Sequence, residues 1–403
     1  MAPTTESPMP LSRSLILLLA IATGLTVASN YYAQPLLHTI AREYGLATVD
    51  AGMIIIAAQL SYGAGLFFLV PLGDLLEQRL LVVIMTLLSA LGLLLSGLAP
   101  SAGWLMLGTT ITGLFSVAAQ VLVPMAAAMA EPSHRGRVVG TIMSGLLLGV
   151  LLARTAAGSL STFAGWRSIY LMASVLMLVS AIALWCALPQ RRQRVGLGYP
   201  QLLVSVIRLF IEEPILRLRA VLGLLSFCLF SLFWTPLAFL LASPPYEYSD
   251  ATIGLFGVAG AAGALAANLG GRLADQGCGK LATSAGLLSL LLAWVPLAWA
   301  DQSLVALLLG VLVLDLAVQL VHVSNQNAVY ELQPQARNRL NAGYITCYFV
   351  GGALGSTLGS WMYQRNGWDG VVLAGIVISL VALAVWGVAT KKQRGVASTQ
   401  LSQ

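Results

Sequence analysis

From Leu80 to Ala130 no residue carries a formal charge, and the same is true from Ala51 to Leu72. Runs of this kind restrict the chain to few folds. About 20 consecutive apolar residues span a bilayer as a helix, and in hydrocarbon every backbone polar group has to be satisfied within the segment. Twelve such runs can be read, beginning with 14–37 and 50–71 and ending with 340–362 and 370–390. The composition agrees: 58% of the residues are hydrophobic and 9% charged, against about 25% charged in soluble domains. The expected fold class is an all-α integral membrane protein of twelve transmembrane helices in two pseudo-symmetric six-helix bundles. The first apolar run follows Arg13 and leads into Asn30-Tyr-Tyr-Ala-Gln-Pro35 without a small-residue cleavage site, so it is read as a first span rather than a signal peptide.

A charged turn, Gly73-Asp-Leu-Leu-Glu-Gln-Arg79, separates the second and third runs, and Gly271-Arg-Leu-Ala-Asp-Gln-Gly-Cys-Gly-Lys280 lies between two later ones. Gly73 and Gly271 are offset by 198 residues. Pro35 and Pro236 are offset by 201, Arg137 and Arg339 by 202, and Gly165-Trp166 and Gly367-Trp368 by 202. Such regularity marks an internal repeat. It divides the chain into residues 1–188, a first six-helix bundle, and 219–403, a second. Residues 189–218 form a basic central loop in which Leu202, Leu203, Val206, Ile207 and Phe210 share a helical face. That segment reads either as an interfacial helix or as a plain connector. Seventeen of the twenty-one Lys and Arg residues fall in alternate loops and tails on one side; Arg42, Arg167 and Arg365 fall on the other, and Arg154 lies within a span. By the positive-inside rule both termini of this multi-pass chain are expected in the cytoplasm.

Twelve spans in two similar halves, the repeated charged turn and the basic central loop resemble the major facilitator superfamily over essentially the whole chain. The superfamily's turn, roughly Gly-x-Leu-x-Asp-x-x-Gly-Arg-Lys, is matched in the second copy by Gly271, Leu273, Asp275, Gly279 and Lys280. In the first copy Gly73 and Leu75 fit, Glu77 stands in place of Asp, and the basic end is reduced to Arg79. The resemblance implies that these turns latch the halves together, with Gly73, Asp74, Glu77, Arg79, Gly271, Asp275 and Lys280 as gating residues. Asn30–Leu37, Pro71–Asp74 and Gly145–Thr155 further resemble bacterial efflux-type permeases, which implies a multi-pass protein of the bacterial inner membrane. Two positions depart from proton-coupled members: Thr109 where Arg often precedes Gly113 by four residues, and Val150 where Pro often follows the second glycine.

A charge at mid-bilayer costs about 2.5–3.5 kcal/mol on insertion scales, so it is functional by default. Arg154 lies eleven residues before the Gly165-Trp166 boundary and Asp315 fourteen after Asp301. At 1.5 Å per residue they sit about 16 and 21 Å deep, opposite in sign and in opposite halves, and are expected to pair. Gln319, His322 and Gln326 continue one stripe from Asp315, and His322 titrates in a range that suits a proton path. The first span offers Thr23, Thr26, Asn30 and Gln34, with Tyr31 alongside, and Gln120 occupies the repeat position of His322. Spans 1, 4, 7 and 10 line the central cavity in the superfamily, so the resemblance assigns these polar residues to it. Phe227, Phe230, Phe233 and Trp234 offer an aromatic wall. Small residues every four positions, Gly145, Gly149, Ala153 and Ala157 in one span and Gly351, Gly355 and Gly359 in its repeat mate, are expected at the moving interface between the halves.

Other function classes lack their residues. Cys186, Cys228, Cys278 and Cys347 are scattered without a CxxC pair, and no phosphate-binding, zinc-protease or serine-hydrolase motif is present. No enzymatic activity, metal or cofactor is expected. The net charge of +6 is topological rather than a nucleic-acid footprint. The expected function is secondary transport of a small organic solute by alternating access, with the proton gradient as energy source and export as the direction. An uptake symporter and a non-transporting membrane sensor are the alternatives. The partners are the solute and the lipid bilayer, and the expected state is a monomer.

Overall fold

A computed structural model describes residues 12–131, 134–190, 198–265, 279–333 and 336–401. Gly271, Asp275 and Cys278 of the second charged turn, and Arg191 to Arg194 of the central loop, lie outside the described residues. Those described form helices and no strand. The first half comprises α1 (Arg13–Ala28), the short loop helix α2 (Leu37–Tyr44), α3 (Thr48–Phe68), α4 (Gln78–Gly97), α5 (Ala102–Phe115), α6 (Ala118–Met129), α7 (Arg135–Ala164) and α8 (Arg167–Ala187). After the linker helix α9 (Tyr199–Glu212) follow α10 (Pro214–Ala242), α11 (Asp250–Leu265), α12 (Gly279–Leu297), α13 (Leu304–Tyr330) and α14 (Arg337–Leu401). Large apolar side chains such as Leu148, Leu152, Val175 and Val179 stand exposed along α7 and α8. In water that would be an aggregation surface; in a bilayer it is the lipid face.

Two spans are not the continuous helices the sequence suggests. The first run, 14–37, is helical only to Ala28 and finishes in turns and a 3-10 turn at Gln34–Leu36, after which the loop helix α2 begins. Pro35 contributes to the break, since it has no N–H to donate and its ring crowds the carbonyl four residues back, but its repeat mate Pro236 lies inside the unbroken α10. Unwound backbone at such depth is tolerated where it is buried in protein or lines a cavity, and Gln34, Pro35 and Leu36 are all buried. The fourth span breaks at Ser116 and Val117, between α5 and α6. The expected break between the last two spans falls at Gly367 inside α14, with φ 61°. Its repeat mate Gly165 ends α7 with φ 79°. Both need backbone that a Cβ disfavours, and each is followed by a buried tryptophan, Trp166 or Trp368. The loop end that carries these pairs is termed the Trp166 end below, and the opposite end the Asp74 end.

Within the first six spans α1 packs on α7, and α4 on α5 and α8. Within the last six α10 packs on α14, and α12 on α13. Contacts between the two sets run from α3 to α14 and from α7 to α11. The glycine stripes correct one expectation. A Cβ at Gly145 would fall on the Ala20 carbonyl, one at Gly149 on Gly24, and one at Gly355 on Cys228. The stripes therefore seat α7 on α1 and α14 on α10 inside each half, as close packing. Other small residues meet the opposite half: Gly158 of α7 lies against the backbone of Asp250 and Gly254, and Ser360 of α14 against Gly52 of α3. A fourfold spacing shows which residues share a face, but not which neighbour that face meets.

Residues 199–212 of the central loop are a helix. Leu202, Val206 and Leu209 are buried while Val204, Ile207 and Ile211 are exposed, so the helix carries apolar residues on a protein-facing and an outward-facing side. Tyr199 Oη donates to the Phe68 carbonyl at 2.8 Å, and Phe210 packs over Gly343 of α14. The linker thus bridges the Asp74 ends of α3 and α14.

Candidate functional site

Arg154, on α7, is 3% exposed. Its Nε donates to Gln34 Oε1 at 2.7 Å, a contact that exists because the chain unwinds before Pro35. The guanidinium lies 4.0 Å from the centroid of the Trp234 ring, 5.1 Å from Tyr31 and 5.6 Å from Phe230. A desolvated cation over an aromatic face gains about 2 kcal/mol or more, so three faces offset part of the cost of burying the charge. Asp315, on α13, is 5% exposed and accepts from Trp234 Nε1 at 3.1 Å. The expected direct ion pair is not formed: no Arg154–Asp315 contact falls within salt-bridge distance among the described residues. Trp234 links them instead, with its face to the cation and its N–H to the anion. Depth along the helix axes predicted the shared level and not the side chain between.

Two glycines of α11 make this arrangement possible and carry no signal in sequence. A Cβ at Gly257 would press on the Arg154 side chain, and one at Gly260 would fall on Asp315 Oδ2 and crowd Trp234. The wall beside the cluster extends through Phe230 to Phe227, which stacks on Tyr348 of α14 at 4.1 Å between centroids. Phe233 turns away and packs on Trp368.

On α13 Asp315 is buried, while Gln319, His322 and Gln326, successively nearer the Asp74 end, are half-buried. His322 does not touch Asp315; its Nδ1 shares a hydrogen bond with Tyr344 Oη at 3.0 Å. Gln326 donates to Asn341 at 3.4 Å, and Gln120 to Tyr62 Oη at 3.4 Å. Each repeat position, Gln120 and His322, therefore meets a tyrosine of its own half. Of the first-span stripe, Gln34 reaches the centre with Tyr31. Asn30 instead donates to Ser116 at 2.8 Å, tying the first span to the break in the fourth. It borders a small void between α1, α3, α4 and α5, away from Arg154.

The Trp166 end is closed by contacts between the halves. Asp250, at the start of α11, accepts from Thr39 Oγ1 at 2.7 and 2.8 Å and from Ser161 Oγ at 2.6 Å. Thr155 Oγ1 donates to the Gly254 carbonyl at 3.2 Å, and the Val49 amide to Gln364 Oε1 at 3.0 Å. Nothing in the pattern of apolar runs marked Asp250, which reads as an ordinary loop acid. At the Asp74 end, Gly73 is buried in the 3-10 turn Val70–Asp74. Arg79 turns toward its own half: it lies 3.9 Å from Glu77, donates to the Leu188 carbonyl at 3.3 Å and stacks 4.2 Å from the Trp185 centroid. Of the three charged residues of that turn, Asp74 is within electrostatic reach of Arg339 on α14. Lys280 stands exposed at the start of α12.

A sequence model of the Major Facilitator Superfamily matches residues 19–331 and 277–402. The chain belongs to the major facilitator superfamily. This membrane transporter is 57% identical to the uncharacterized transporter YgaY of Escherichia coli O157:H7, over 95% of its own length and 97% of the relative's. It is 34% identical to the probable transporter SCO4007 of Streptomyces coelicolor, over 95% and 90%. Its fold matches that of a bacterial homolog of the human lysosomal transporter Spinster in an inward-facing and unoccupied conformation. That likeness has a TM-score of 0.79 at 14% identity and covers 93% of this chain and 96% of the other. As a superfamily member, the protein is a multi-pass transporter and not an enzyme.

Proposed function

We propose that this superfamily member exports a small organic solute across the bacterial inner membrane by alternating access, driven by protons that enter through Asp315. The observation that carries the reading is the Arg154–Trp234–Asp315 linkage, an unneutralised pair of charges at the junction of α7, α10, α11 and α13. Arg154 Nη2 and Gln34 Nε2 are buried there with no hydrogen-bond partner among the described residues, which leaves two donors for a solute acceptor. A proton on Asp315 removes the negative charge beside the guanidinium and weakens the hold on Trp234, the residue that separates the two halves of the linkage. Solute bound at Arg154 and a proton bound at Asp315 would then favour different states, which is the requirement for exchange. The membrane potential adds about 2.3 kcal/mol per charge per 100 mV.

The excess of Lys and Arg supports placing the Asp74 end and both termini in the cytoplasm. With the Trp166 end held shut by Asp250, the conformation is then inward-facing. Asp74 is the latch residue in this account, meeting Arg339 when the cytoplasmic side closes.

The reading is tested in inverted vesicles screened against labelled organic cations, organic anions and sugars, with and without an imposed inward-acid gradient. Gradient-dependent accumulation of one class is the expected outcome. Solute lost from the vesicles under that gradient, in place of accumulation, would make the protein an uptake symporter, and gradient-independent equilibration would remove proton coupling.

A further inference from the structure

A second cavity, of about 410 Å³, opens at the Asp74 end of the last six spans. Its size falls within the roughly 300–1,000 Å³ of small-molecule sites. It is edged by Arg219 and Ile215 of α10, Lys280 of α12, Glu331 and Leu332 beyond α13, and Trp386 of α14, and shares no residue with the Arg154 cluster. Arg219 is 8% exposed. Its Nη1 donates to Thr283 Oγ1 at 2.8 Å and Asn325 Oδ1 at 3.1 Å, and its guanidinium lies 5.0 Å from the Trp386 centroid. Trp386 is held in turn by donating to Ser284 Oγ at 2.8 Å. Arg219 Nε is buried with no partner, and no carboxylate lies within ion-pair distance of this arginine among the described residues. A buried cation held by neutral groups is costly unless something negative completes it.

The repeat shows how the site arose. Trp386 and Lys280 each stand 201 residues after Trp185 and Arg79. In the first half the basic residue of the charged turn stacks on its own tryptophan. In the second half Arg219, from a different helix, takes the place over the tryptophan, and Lys280 is left exposed at the cavity edge. The second half therefore sets two cations around one opening, with apolar Ile215 and Leu332 beside them and Glu331 as the opposing charge among the described lining residues.

We propose that this cavity binds a phosphate-bearing anion, with the phosphate between Arg219 and Lys280 and any apolar arm along Ile215 and Leu332. An arginine fork suits phosphate oxygens. The anion has two possible sources, an acidic phospholipid headgroup or a free phosphate, and the experiment separates them. Purified full-length protein in neutral detergent is titrated with phosphatidylglycerol, with phosphatidylcholine and with inorganic phosphate, reading the thermal unfolding midpoint and lipid adducts by native mass spectrometry. Phosphatidylglycerol is expected to raise the midpoint and remain as an adduct where phosphatidylcholine does not. Lys280→Gln, at an exposed position, should weaken the effect about fivefold, and Glu331→Gln, also exposed, should strengthen it by a similar factor. A rise with inorganic phosphate alone, shifted in the same two directions by the variants, assigns the free anion as the source. Equal response to both lipids with none to phosphate overturns the proposal, as does a response that neither variant moves.

Discussion

Replacing Asp250 with alanine should open the Trp166 end. This carboxylate is the acceptor for both Thr39 and Ser161 across the boundary between the halves. Hydrogen bonds to charged groups contribute about 1.5–3 kcal/mol each. Because Asp250 is half-buried and water replaces the hydroxyls on opening, the lower figure applies to each of the two donors, for a total of about 3 kcal/mol. That corresponds to a shift of roughly a hundredfold in the equilibrium between closed and open, so a population held at 99:1 would approach 1:1. Asp250→Asn, which keeps one oxygen acceptor, should move it about tenfold. The assay is pulsed electron–electron distance measurement between spin labels at Asp50 and Asn366, both exposed at the Trp166 ends of α3 and α14, in a background whose native cysteines are replaced. A second, longer distance should appear in Asp250→Ala and to a lesser extent in Asp250→Asn. A distribution unchanged in a folded Asp250→Ala protein would show that the gate is held by helix packing alone.

Three further outcomes follow from the geometry. Gly260→Ala places a methyl group on Asp315 Oδ2 and Trp234; overpacking of this kind costs about 1–3 kcal/mol, and transport should fall far more than in Gly136→Ala, where nothing among the described residues lies within contact. Glu43, in α2 beyond the first span, accepts from Trp166 Nε1 at 2.5 Å and from Arg167 at 2.6 Å; burial alone would push its carboxyl up, but these bonds outweigh it and hold the carboxyl below its ordinary value. Its contribution to stability is therefore complete above the ordinary carboxylate value and lost as pH falls through the lower folded one, so wild type should lose more thermal stability than Glu43→Gln on acidification, and parallel losses would count against the contact. Asp74→Asn should raise labelling of cysteines placed on the Asp74-end halves of α6 and α13, whereas Arg79→Gln, whose contacts stay within the first half, should not.

Much of the architecture was legible because a membrane leaves the chain little choice. The uncharged runs mark the helices, and the offset of about 202 residues pairs Gly165 with Gly367 and Trp166 with Trp368, which the structure shows in matching roles. The level of Arg154 and Asp315 could be counted along the helices. Their separation could not, because axial rise carries no information about azimuth, and the intervening Trp234 belongs to a third helix. Asn30 lay on the same sequence stripe as Gln34 yet faces Ser116, because the chain unwinds between the two positions and the helical period no longer applies. Gly257 and Gly260 were invisible for a related reason: their role is set by side chains from other helices. Asp250 was missed since its partners lie 211 and 89 residues away.

The claim that Asp315 couples proton movement to transport is tested most directly by comparing gradient-driven accumulation with solute exchange in vesicles carrying Asp315→Asn. The account predicts that accumulation against a gradient is abolished while exchange survives in part, and that damage from Arg154→Ala is relieved when Asp315 is neutralised with it. Normal accumulation by Asp315→Asn would contradict the coupling role, and a double variant no better than Arg154→Ala would show that the two charges do not act together through Trp234.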